Sequence, residues 1–337
     1  MGNIVCIILS VAARLAGRAC TPREVFMYKY VLKRLVALIP VIIGVVFIIY
    51  LILDLTPGDA VATILGTNYT PEAAAQLREE MHLNDPFVVK FFTYIFGLVR
   101  GDFGNSYITK QPVLKQIGAA FPNTLILVFI SMFICTAVAL PIGIQTAVKP
   151  NSLFSNITAA LGMIGIALPT FWLGLMLILL FSVRLNVLPS VGDVSLKGLI
   201  LPSVTLASSF LAGTMRTTRS SMLEELNQDY VRTARAKGVD EKDVINKHAL
   251  GNALLPVITV VGLNIGTQLG GSVLTETVFA YPGMGRVLIN GINQRDTPII
   301  LGCLVLMALC IGLCNLLVDI IFAFVDPRIK SQYSKTK

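Results

Sequence analysis

The chain has 337 residues, 55% of them hydrophobic and 14% charged, with a formal net charge of +8 and a mean hydropathy of +0.76. A soluble domain of this size needs a far more charged surface, and several runs approach or exceed the roughly 20 apolar residues that cross a bilayer. The runs are continuous rather than alternating, which excludes an outer-membrane barrel and leaves an all-α polytopic membrane protein.

Residues 1–26 fit poorly with the rest. Ile4–Ala13 is apolar but short and lacks a basic segment before it, so it makes a poor signal peptide. Gly17-Arg18-Ala19-Cys20 does not resemble a lipidation site either. The simplest expectation is an extended reading frame with the working start at Met27. Six spans are expected: Val31–Leu53, Pro122–Val148, Leu153–Val183, Leu199–Met215, Leu254–Val278 and Pro298–Val325. Lys29, Lys33 and Arg34 place the start of the first span in the cytosol. Alternation then puts the Lys149 loop, a polar island and the tail inside, so both termini are cytoplasmic. The short outside loops carry only Arg184, Lys197, Arg286 and Arg295. The net charge is thus read as cytoplasmic loop charge, not as a nucleic-acid site.

The expected organisation follows. Residues 1–30 are a cytoplasmic N-terminus, 31–53 the first helix and 54–117 an extracytoplasmic loop domain. Residues 118–325 form the transmembrane core, with a cytoplasmic loop at 217–253, and 326–337 are a cytoplasmic tail. In the outside loop, Thr70 is a good N-cap with Pro71 in the first turn. Phe87–Val99 is too short to span and carries Lys90, which suits an interfacial helix. None of the six cysteines forms a CxxC pair. Cys303, Cys310 and Cys314 share one helix face, and packing is the simpler reading of them.

The polar island Asn227–Asn252 is the segment that bears on function. Asp229–Lys237 holds helix formers without Gly or Pro, and Gly238 offers the left-handed backbone that ends helices. Asp240 can cap a second helix, and Asp243 stands where a capping box needs its acid. Ala234 and Ala236 keep the first helix slim enough for a groove on another protein, with Arg232, Arg235 and Lys237 at the rim. A plain solvated loop would show much of the same pattern.

The island resembles the loop with a Glu-Ala-Ala motif in integral subunits of ABC importers, in the form found in the peptide and nickel permease family. The matching residues are Tyr230, Arg232, Thr233, Ala234, Arg235, Ala236, Lys237, Gly238, His248, Ala249 and Leu250. A literal Glu72-Ala73-Ala74 lies in the outside loop and is a decoy. The resemblance runs from Met27 to about Lys330. It includes Leu55-Thr56-Pro57-Gly58-Asp59, Gly101-Asp102-Phe103-Gly104, Leu168-Pro169-Thr170-Phe171-Trp172-Leu173-Gly174, Tyr281-Pro282-Gly283-Met284-Gly285 and Asp326-Pro327-Arg328.

The resemblance implies the type I ABC importer permease fold with six transmembrane helices and a subunit that is not itself an enzyme. It implies a homologous second permease subunit, two cytosolic ABC ATPases holding ATP and Mg, and an extracytoplasmic substrate-binding protein. The island would then be the coupling helix that docks on one ATPase. The chain itself carries no Gly-x4-Gly-Lys-Ser/Thr loop for a nucleotide. It has only His82 and His248 and no HExxH, so no metal site is expected.

Gly262, Gly266 and Gly270 form a stripe that permits close helix approach, within the bundle or at a second subunit. Asn264 and Gln268 can line a wet path or bond neighbouring helices. Glu276 and Asp319 are the ionisable groups inside spans, and such groups suggest function by default. Glu276 is a candidate for an external gate, Asp319 for a structural partner near Asn315. The cargo is expected to be oligopeptide or dipeptide, with nickel or a metal chelate as the alternative. A stand-alone secondary transporter should show internal repeats, and none is evident.

Overall fold

The computed structural model describes residues 22–56 and 60–325. Residues 1–21, the Pro57-Gly58-Asp59 and Asp326-Pro327-Arg328 motifs and the tail lie outside them. The described residues are helical almost throughout. The one backbone bridge, Asn105 to Pro112, closes a loop.

Helix α1 (Pro22–Leu55) carries the first expected span, Val31–Leu53. Val36, Ile39, Ile48 and Ile52 face outward on it, as lipid-facing side chains do in a membrane helix. The segment expected outside folds as α2 (Ala60–Leu65), α3 (Pro71–Glu80) and α4 (Phe87–Val99). The α3 cap is the expected one: Thr70 Oγ1 accepts from the Ala73 N–H at 3.2 Å. Helix α4 keeps the expected bounds and packs on α1 through edge-to-face rings, Phe47 on Phe87 and Phe91, and Tyr50 on Tyr94.

Helix α5 (Val113–Val148) is longer than the span it contains. The third expected span, Leu153–Val183, is not one rod. It breaks into α6 (Leu153–Ala167) and α7 (Thr170–Leu177), the latter widening into a π turn over Ile178–Arg184, with a bend of 103°. The cause is local. Leu168, preceding Pro169, is pushed to extended backbone at φ −80°, ψ 125°. Pro169 itself has no N–H to continue the ladder. Among the described residues five helices are therefore long and apolar enough to cross a membrane, six if the bent pair counts as one.

Helix α8 (Leu196–Leu226) overshoots its expected span, Leu199–Met215. The polar stretch after Met215 contains no Gly or Pro, so nothing stops the helix at the membrane boundary. Its 31 residues reach ~47 Å. Helices α5 and α8 share the most extensive interface of the chain. At Gly143 a Cβ would lie 2.6 Å from Thr218 Cβ and 2.9 Å from the Met215 carbonyl oxygen, so the approach requires glycine.

After α9 (Asp229–Ala236) and α10 (Glu241–Asp243), a π turn at Val244–Ala249 leads without interruption into α11 (Leu250–Val278). Helix α12 (Met284–Gln294) lies across one end of the bundle, and α13 (Thr297–Val325) returns through it. Apolar clusters stack along the bundle. Val113, Ile117, Met284 and Ile300 fill the end at α12, and Leu127, Leu206 and Leu269 the middle. Met222, Val231 and Val244 fill the end at α9.

Candidate coupling site

The polar island is built on a small core of its own. Val231 and Ala234 of α9 face inward and meet Ala147 of α5, Met222 of α8, and Val244 and Ala249. Ala234 is thus buried in this chain instead of facing a groove elsewhere, while Ala236 is exposed. The slim side chain at 234 lets α9 lie close against α5 and α8. The opposite face presents Arg232, Thr233, Ala236 and Lys237, all exposed, and His248 is exposed on the following turn.

The helix-turn-helix geometry matches its sequence signals with one exception. Gly238 sits at φ +76°; its N–H reaches the Arg235 carbonyl at 3.0 Å, and the Val239 N–H reaches the Ala234 carbonyl at 3.3 Å. This left-handed close satisfies carbonyls that a helix end leaves open. Asp240 accepts from the Lys242 N–H at 3.2 Å. The exception is Asp243. Its carboxylate takes Lys247 Nζ at 2.8 Å, one turn ahead, instead of reaching back to complete a capping box. A cation four residues on competes better than a neutral N–H.

Two side-chain ties went unread in the sequence. Arg235 holds both oxygens of Glu241, through Nη2 at 2.8 Å and Nε at 3.1 Å, and its Nη1 reaches the Leu226 carbonyl at 3.3 Å. One guanidinium therefore joins α8, α9 and α10. It holds the Glu241 carboxyl below its ordinary range through those hydrogen bonds. Tyr230 donates to Glu225 Oε2 and accepts from Asn252 Nδ2 at 3.0 Å, joining α8 to α11. The signals were an acid six residues after Arg235 and one five before Tyr230. Both require the turn to be folded before they mean anything.

The other candidates fall elsewhere. Gln268 is fully buried; Ser131 donates to its Oε1 at 2.6 Å, and its Nε2 approaches Met132 Sδ at 3.5 Å. Asn264 donates to Thr214 Oγ1 at 3.5 Å. Both amides tie α11 to neighbouring helices. A Cβ added at Gly262 would clash with the Val318 side chain and one at Gly266 would lie 3.5 Å from Cys314 Cβ, while one at Gly270 would meet nothing within 4 Å. Asp319 pairs with Arg34 at 3.0 Å, joining α13 to α1.

Glu276 is fully buried at the end of the bundle where α12 lies. Its Oε1 accepts from Thr124 Oγ1 at 2.8 Å, and its Oε2 accepts the N–H groups of Gly285 at 2.7 Å and Arg286 at 3.2 Å. The Met284 N–H reaches Thr124 Oγ1 at 2.8 Å. The first three N–H groups of α12 are thus satisfied by α5 and α11. At the other end of α12, buried Asp296 accepts from Ser106 Oγ and, at 3.1 Å, from the Tyr107 N–H. Burial, with the Asp296 charge adding, pushes the Tyr107 phenol up to about 12. The segment between α1 and α5 also walls a cavity of about 670 Å³ beside Arg78, His82, Asp85, Lys90 and Tyr94. Among the described residues no group of three His, Cys, Asp or Glu side chains is placed to hold a metal ion.

A multi-pass bundle that presents a pinned, basic helix-turn-helix at one end is the architecture of a transport-system membrane component. Two family models match the chain: the binding-protein-dependent transport system inner membrane component over residues 139–331, and the N-terminal segment of such a component over residues 27–128. The chain belongs to this family of inner membrane components. It is 40% identical to the dipeptide transport system permease protein DppB of Escherichia coli, covering 90% of this chain and 99% of that one. It is 39% identical to the oligopeptide permease AppB of Bacillus subtilis, covering 90% and 100%. It is 41% identical to the glutathione permease GsiC of Salmonella choleraesuis, covering 90% and 99%. The inward-facing MetNI methionine ABC transporter shares the fold, with a TM-score of 0.54 and 21% identity over 63% of this chain and 97% of that one.

Proposed function

We propose that the chain is the transmembrane subunit of an ATP-driven importer and forms half of the translocation path for peptides. The observation that carries this reading is the near-full-length likeness to permeases named for dipeptide, oligopeptide and glutathione transport. In this reading the chain crosses a bacterial inner membrane six times, the bent α6–α7 pair counting as one crossing, with both termini in the cytoplasm. Residues 54–117 face outward toward a substrate-binding protein. The core is residues 118–325, and a second, homologous permease subunit completes the path.

The 229–250 unit couples to a cytosolic ATPase. Its exposed Arg232, Lys237 and His248 offer a basic, rigid docking face. The ties of Arg235 and Tyr230 to α8 and α11 carry a push on that face into the bundle. ATP and Mg belong to partner ATPase subunits, and this chain performs no chemistry of its own. Closure of the ATPase pair moves the docked unit and shifts the bundle between inward-open and outward-open states.

The test is gentle affinity purification of the tagged chain from its native membrane, with mass spectrometry of what accompanies it. A similar permease and two ATPase subunits are expected, and the binding protein of the system should then retain peptides. A chain recovered alone or as a homo-oligomer under several mild detergents would defeat the reading.

A further inference from the structure

A second cavity, of about 440 Å³, opens between α6 and α8 at the inner half of the bundle. Its wall is apolar, with Met163, Ile166 and Met215, and Arg216 and Arg219 stand at its inner end. The two arginines are three residues apart and share one face of α8. No Asp or Glu lines the cavity. Arg34, Arg232, Arg235 and Lys247 each face a carboxylate. Arg216 and Arg219 form no such ion pair among the described residues.

The two lining hydroxyls are already committed as donors. Thr146 donates to the Gly143 carbonyl at 2.9 Å and Thr158 to the Phe154 carbonyl at 2.8 Å. The donors left for a guest are the guanidinium groups. Positive charge at this end of a span follows from topology alone. A methionine-walled cavity with no counter-ion does not. Guanidinium forks fit carboxylates, and methionine walls adapt to varied side chains. The volume suits a small ligand.

We propose that this cavity is a way station for a peptide in transit, in which Arg216 and Arg219 hold the C-terminal carboxylate and the methionines receive the neighbouring side chain. This rests on the peptide-importer reading and assigns residues within it. The close approach at Gly143 and Thr218 holds the helix that carries the arginines against α5.

The experiment uses the complete transporter in proteoliposomes, with its binding protein at saturation. It compares uptake of one labelled peptide as free acid and as C-terminal amide. The readout is the acid-to-amide ratio of uptake, because the binding protein is common to every sample. The double variant R216Q/R219Q is expected to lower that ratio about tenfold, the scale of a charge-assisted hydrogen bond, while ATPase activity stimulated by the binding protein persists. Each single glutamine variant retains one inside charge and is read the same way should the double variant not insert. An unchanged ratio in the single and double variants overturns the proposal. So does an equal loss for acid and amide that tracks anionic lipid in the vesicles, which would make the arginines lipid anchors. Failure of the wild-type complex to take up either peptide would instead sink the peptide reading.

Discussion

Gly238 shows how much a single residue can decide at a turn. It lies at φ +76°, and a Cβ there would meet nothing within 4 Å. The glycine is therefore required by backbone conformation and not by space. Gly238→Val should cost about 1–2 kcal/mol through left-handed strain alone, whereas Gly238→Asn should be milder because asparagine tolerates that region. The expected result is normal membrane insertion with transport strongly reduced for valine and largely kept for asparagine. Uptake assays on matched membrane amounts check it, and wild-type transport by the valine variant would count against a coupling role. This residue was legible in the sequence because a glycine after a helix-forming run is a local signal. Glu276 was not legible as a helix cap. Its partner Thr124 lies 152 positions away, and no local pattern announces such a pairing.

At the scale of elements, local chemistry explains both what the sequence announced and what it misreported. Helix α4, the Thr70 cap and the α9 turn follow from runs and caps a few residues long. The break at Pro169 also had its signal in the sequence, but the apolar run on both sides invited a continuous span. The overshoot of α8 has the converse cause: polarity marks where the membrane ends and says nothing of where the helix ends. The α9–α10 unit depends on the Arg235–Glu241 clasp. Arg235 and Glu241 are both well exposed, with side chains at 39% and 56%, so solvent screening limits the clasp to under about 1 kcal/mol.

The sign of its pH dependence is fixed. The folded Glu241 carboxyl titrates below its ordinary 4.5, so the unfolded chain binds more protons in that window. The stabilisation is complete above pH 4.5 and is lost as the pH falls through the lowered folded value. Arg235→Lys keeps the charge but cannot bridge both oxygens and the Leu226 carbonyl. Amide hydrogen exchange across 229–238 at neutral pH is expected to quicken severalfold in that variant. In the wild type, protection relative to the intrinsic exchange rate at each pH should fall the same way only in acid. Equal protection in the two proteins at neutral pH would remove the clasp from the account.

Across the whole molecule, the two ends of the bundle are pinned differently. The end at α9 is held by exposed charges and an apolar seat beneath them. The end at α12 is held by buried carboxyl groups, Glu276 at the start of that helix and Asp296 after its end, which bind it to α5, α11 and the loop at Ser106 and Tyr107. If Glu276 serves chiefly to satisfy those N–H groups, its removal is a stability event. Glu276→Ala would leave two N–H groups of α12 and one hydroxyl without their acceptor in a buried site. The expected loss is about 2–4 kcal/mol, given the cost of unsatisfied buried donors and of a lost charge-assisted bond. Glu276→Gln keeps one carbonyl oxygen for the Gly285 N–H and should lose roughly half as much. Thermal unfolding of the purified complex should therefore rank wild type above glutamine above alanine, with uptake falling in the same order. A group that gates transport behaves otherwise: the glutamine variant would abolish uptake while unfolding at the wild-type temperature. That outcome would return Glu276 to the path, and the α12 cap would then be a consequence of its placement there.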